Sequence, residues 1–98
     1  MNGDSSESFV KNSTIMQSFN RGIAIHGSHR LNISNNVAFD VKGHTYFIED
    51  GIEQENRFEE NLCAYTVKSN SLLNTDTTPA CYWITNPNNL YVLIWILF

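Results

Sequence analysis

The chain has 98 residues and a net charge of −4, with 42% hydrophobic and only 16% charged residues. That composition fits one small domain or a piece of a larger one, and excludes a multidomain enzyme, a disordered tail and a basic surface for nucleic-acid phosphates. No apolar run reaches the roughly 18 residues of a membrane helix, so no membrane insertion by this segment is expected.

In chain order, residues 1–8 are polar and acidic, unlike the basic and then apolar start of a signal peptide, and read as a tail. If the protein is exported, its targeting segment is expected to lie outside this chain. From Phe9 the chain repeats. Asn12, Asn36, Asn61 and Asn86 are separated by 24, 25 and 25 residues. Three positions before each stands a bulky apolar residue: Phe9, Ile33, Phe58 and Trp83. Ile15 and Phe39 follow the first two at the same distance. Between these, Gly22-Ile23-Ala24-Ile25-His26-Gly27 matches Thr45-Tyr46-Phe47-Ile48-Glu49-Asp50-Gly51 at an offset of 23. Both are short strand-like runs closed by a glycine turn. No stretch carries a sustained helical apolar period.

Short strands, frequent turns and a period near 24–25 predict an all-β fold. It is a right-handed parallel β-helix fragment of about four coils over 9–89. In that register Asn12, Asn36, Asn61 and Asn86 form a buried amide ladder, and Trp83 joins Phe9, Ile33 and Phe58 in the core. Residues 90–98, LYVLIWILF, read as an apolar tail foreign to the repeat.

Gly22 to Leu62, GIAIHGSHRLNISNNVAFDVKGHTYFIEDGIEQENRFEENL, resembles the parallel β-helix region of the fibrocystin and fibrocystin-L family. It is also similar to modules of the hyaluronan-binding, cell-migration-inducing protein family. Ser71 to Asn89, SLLNTDTTPACYWITNPNN, resembles the next segment. The pieces AIHG, GHTYFIEDG, ENRFEENL and WITNPNN occur in the family's order. Cys63 stands where the family usually carries glycine. The resemblance implies a segment of a large extracellular or cell-surface protein whose partners are glycans or extracellular proteins.

The residues offer one cluster for chemistry. In the 23-residue register His26 lies over Glu49, and His44 and Asp50 flank the second strand. An imidazole beside carboxylates can serve as an acid/base pair or a metal site. The bland alternative is a salt bridge between coils plus an Asp-Gly turn. No catalytic residue and no metal set is fixed by these positions. The resemblance implies that, as an enzyme, the module would degrade a hyaluronan-type polysaccharide, with His26, His44, Glu49 and Asp50 as the candidate residues. The absence of a basic row for an anionic polymer argues against that. No cofactor is expected. The run Glu49, Asp50, Glu53, Glu55, Glu59 and Glu60 could hold Ca²⁺, but its spacing fits no EF-hand loop and it reads as a solvated outer loop. Asn12-Ser13-Thr14 and Asn32-Ile33-Ser34 are N-glycosylation triplets. Asn32 is expected to face outward and to be the better acceptor, because Asn12 is assigned to the ladder. Cys63 and Cys81, 18 residues apart, allow one disulfide or two separate buried thiols.

Overall fold

The computed structural model describes residues 3–4, 8–68 and 79–97. Residues 71–78 of the second resemblance segment and most of the acidic tail lie outside this set. Every described element is a short strand: β1 (Gly3–Asp4), β2 (Phe9–Lys11), β3 (Thr14–Met16), β4 (Ile23–Ile25), β5 (Ser28–His29), β6 (Asn32–Ser34), β7 (Val37–Lys42), β8 (Tyr46–Ile48), β9 (Arg57–Glu59), β10 (Leu62–Val67), β11 (Tyr82–Trp83), β12 (Leu90–Val92) and β13 (Trp95–Leu97). All pairings are parallel. The chain circulates and gives each sheet one strand per circuit. The sheet orders are β11-β8-β4, β12-β9-β6-β2, β13-β10-β7-β3 and the small β1-β5 pair.

The register explains the core. Ile23 pairs with Tyr46 and Ile25 with Ile48, so the offset of 23 holds. Val10, Ile33, Phe58 and Tyr91 form one column, with Ile33 and Phe58 essentially sealed from water. Burying such a side chain contributes about 1.5–3 kcal/mol. Aromatic rings fill the interior of the later circuits. Tyr46 stacks on Tyr82 at 4.8 Å and Phe58 on Tyr91 at 5.0 Å, and the two stacks meet edge to face.

Burial pushes the phenols of Tyr46 and Tyr82 well above the usual tyrosine range; for Tyr46 the neighbouring Tyr82 adds to the effect. Burial raises that of Tyr91 to about 12. The unfolded chain's phenols ionise near pH 10. The stability these three groups contribute is thus complete below about pH 10 and falls as pH rises above it, because only the unfolded state then releases these protons. In an alkaline titration the phenolate absorbance of these three tyrosines should grow together with loss of the β-type circular dichroism, not before it.

Several expectations shift. The offsets are 23 between β2 and β6, 25 between β6 and β9, and 33 between β9 and β12, where Arg57 pairs with Leu90. A uniform period therefore misplaces both ends. Phe9 pairs with Asn32 on the outside and is 60% exposed; Val10 takes the core place. Trp83 pairs with Phe47 and is 42% exposed, while Tyr91 occupies the core column assigned to it. Phe39 also faces outward, with Ala38 inside.

The amide ladder exists but with other members. Asn36 and Asn61 belong to it; Asn12 and Asn86 do not. Asn61 Oδ1 accepts from Asn36 N–H (3.2 Å) and Nδ2 (3.0 Å), and its own Nδ2 donates to Ile33 O (2.8 Å). Ser13, not Asn12, stands in the next circuit and donates its N–H to Asn36 Oδ1 (3.0 Å). A second ladder escaped the sequence reading: Leu31 N–H donates to Asn56 Oδ1 and Asn56 N–H to Asn89 Oδ1, each at 2.9 Å. Asn12 occupies the adjacent bend, where Asn12, Asn35, Glu60 and Leu93 all have φ of 51–55°. Asparagine tolerates that left-handed conformation; leucine does not do so readily. Asn86 lies in a turn and donates to Gly51 O (3.1 Å).

Residues 90–97, read as an apolar tail, supply β12 and β13 and pair with β9 and β10. Cys63 and Cys81 form a disulfide, with Cα atoms 5.8 Å apart. It ties β10 to the start of β11, across the connection where the circuit lengthens. Closing a loop of this size contributes about 3 kcal/mol. Reduction should lower the unfolding free energy by about that amount, read by urea denaturation with and without a thiol reductant.

Candidate functional site

The site lies at the rim of the β4-β8-β11 sheet, where strands give way to glycine turns. Gly22 begins it. The N–H groups of Gly22 and Ile23 both donate to Thr45 O, at 3.1 and 2.8 Å. A Cβ on Gly22 would meet that oxygen at 2.6 Å, so this close approach needs glycine. The contact fixes β4 on β8 and sets the residues that follow them in register.

His26 follows β4 and Glu49 follows β8. His26 Nδ1 contacts the Glu49 carboxylate directly, and the Glu49 N–H donates to Ile25 O at 3.3 Å. The other Glu49 oxygen lies 3.7 Å from the Arg21 guanidinium. Glu49 therefore sits between two basic groups. Asp50 is adjacent, and one ligand atom from each of His26, Glu49 and Asp50 falls within 4.8 Å of the others. His26 and Glu49 are part-exposed and Asp50 is exposed. An imidazole and two carboxylates could ligate a divalent metal, while Arg21 opposes a further positive charge beside Glu49.

His44 is separated from this group in role. It is 1% exposed, its Nδ1 accepts from Ala80 N–H (3.1 Å), and its ring lies between Phe47 (5.3 Å) and Trp83 (4.5 Å). Arg21 covers the other side of Phe47, with its guanidinium carbon 4.1 Å from the ring centroid. His44, grouped by the sequence with His26, Glu49 and Asp50, therefore stands apart from them. The His44 imidazole is a buried plate in a stack that runs Arg21, Phe47, His44, Trp83.

Glu53 is the residue that sequence reading missed. The acidic run places it in a solvated outer loop, yet it is fully buried. Its Oε1 accepts from the N–H groups of Asp50 (2.9 Å) and Gly51 (3.1 Å), and its Oε2 from Gly27 (2.8 Å). One carboxylate thus holds the turn after β4 and the turn after β8. Charge-assisted bonds of this kind are among the stronger ones. Two other members of the run are paired on the surface: Glu55 with Arg30 at 2.9 Å and Glu59 with Arg57 at 3.0 Å. The run is therefore a set of separate contacts.

Stacked parallel strands, internal asparagine ladders and glycine turns after successive strands define a parallel β-helix. The chain belongs to the CEMIP β-helix family, whose model matches residues 1–93. Over 83 residues, 85% of the chain, it is 51% identical to mouse fibrocystin-L and 47% identical to human fibrocystin-L. It is 30% identical over 110 residues to communication mutant protein F of Dictyostelium discoideum. The chain spans 2% of the length of the fibrocystin-L relatives and 10% of the Dictyostelium protein. No solved structure matches it.

Proposed function

We propose that this chain is a non-enzymatic structural and adhesive segment of a large extracellular or membrane-anchored β-helix protein of the fibrocystin-L type. It would be right-handed, since parallel-strand crossovers almost always are, with about four coils. The outer flank of β4-β8-β11 presents the part-exposed His26 and Glu49 and the exposed Asp50 and Trp83 to glycans or protein partners. The observation that carries this reading is the engagement of the site's titratable groups. Glu49 bridges His26 and Arg21, His44 is buried between rings, and Glu53 is saturated by three N–H groups. These contacts hold one circuit on the next. A stack built this way stays rigid while its outer face varies.

The gathering of His26, Glu49 and Asp50 favours the one competing reading, a polysaccharide-degrading module. Incubation with high-molecular-weight hyaluronan separates the two, with polymer length read on a gel. The scaffold reading predicts unchanged length. Shortening that Glu49→Gln abolishes would establish the enzyme instead.

A further inference from the structure

The two glycosylation triplets differ in their surroundings, and Asn12, expected in the buried ladder, is the more open of the two. Asn12 is exposed at the bend between β2 and β3. That bend is held by bonds in which the Asn12 side chain takes no part. Its own N–H donates to Ser34 O (3.2 Å), Ser13 N–H to Asn36 Oδ1 (3.0 Å) and Ser13 Oγ to Lys11 O (3.0 Å). Thr14, the third residue of the triplet, is exposed as well.

Asn32 faces outward as expected, but from the middle of a wall. Its strand β6 is paired on both sides, with Phe9 and Arg57 as direct neighbours. Its Oδ1 is sealed from solvent and has no hydrogen-bond partner among the described residues. A glycan is joined through the nitrogen of that same planar amide. With that oxygen packed in the wall, a sugar on the nitrogen would crowd Phe9 and Arg57, its direct neighbours on either side. A sugar on Asn12 projects from an open bend and disturbs no bond of the fold.

We infer that Asn12 is the N-glycan acceptor of this segment and that Asn32 stays unmodified. The biological setting rests on the extracellular reading above, but the test imposes the secretory route. The full chain is secreted from mammalian cells behind a cleavable leader, with a control Asn-X-Thr triplet on an added flexible tail. Only chains that carry the control glycan are counted. Mass is read before and after enzymatic removal of N-glycans, for the unaltered chain, Asn12→Gln and Asn32→Gln. The expected counts are two glycans, one and two. A glycan on Asn32, or a control glycan alone on the unaltered chain, overturns the inference. Either result leaves the scaffold reading standing, since that reading fails only in the hyaluronan assay.

Discussion

Glu53→Ala is expected to destabilise the chain by about 3–5 kcal/mol, a large fraction of what a small domain possesses. The substitution strips the acceptors from the N–H groups of Gly27, Asp50 and Gly51 at once. A fully buried orphaned donor costs on the order of 1–3 kcal/mol, and these part-buried donors, which water can reach at the rim, cost less each. Gly51, at φ 85°, and Gly27, at φ 56°, hold conformations that few other residues adopt, so the turns cannot readily re-aim their donors. Glu53→Gln keeps the shape and one acceptor oxygen, and should cost about 1.5–3 kcal/mol. Urea denaturation of the three proteins measures the series. Equal stability of Glu53→Ala and the unaltered chain would show that the carboxylate is not the clamp described.

Asn61→Ala should cost about 3 kcal/mol. It removes the acceptor of two Asn36 donors and the donor to Ile33 O, all inside the stack. Asn36→Ala in the same background should then cost much less than it does alone, since the two amides share a bond. The coupling in a double-mutant cycle is expected to fall within about 0.5–3 kcal/mol. Asn12→Gly is the contrast. Asn12 lies outside the ladder at a positive φ that glycine takes freely, so its replacement should move stability by no more than about 0.5 kcal/mol.

These two sites mark what the sequence could and could not reveal. The middle of the stack was legible. Ile33 and Phe58 are 25 residues apart, Ile23–Tyr46 and Ile25–Ile48 are 23 apart, and all fall in register. Local strand spacing is enough there, because like residues stack on like. The ends were misread because the circuits differ in length. A shift of one residue puts Phe9 outside and Val10 inside, and makes Ser13 rather than Asn12 the ladder member. The longer connection before β11 moves the core place from Trp83 to Tyr91.

At the site, the approach of His26 to Glu49 follows from the same 23-residue offset. Glu53 was hidden because its surroundings invert ordinary polarity. The neighbouring Ile52 is 62% exposed while Glu53 is fully buried. A hydropathy pattern points the wrong way there, since three backbone donors decide which side chain turns inward. The weak signal is the position itself: a carboxylate two residues after an Asp-Gly turn, where free N–H groups gather. His44 was misplaced for a related reason. Its motif neighbours Glu49 and Asp50 in sequence, but alternation and the rings of Phe47 and Trp83 draw it into a separate stack.

Residue-resolved hydrogen exchange tests the central claim, that side chains lock each circuit to the next. The telling amides are Leu31, Asn36 and Asn56, which donate to asparagine side chains, and Gly27, Asp50 and Gly51, which donate to Glu53. The account predicts that these six exchange as slowly as the central strand amides of Arg57 and Leu62. Fast exchange at the six while Arg57 and Leu62 stay protected would contradict it, leaving strands that stack without their ladders and clamp.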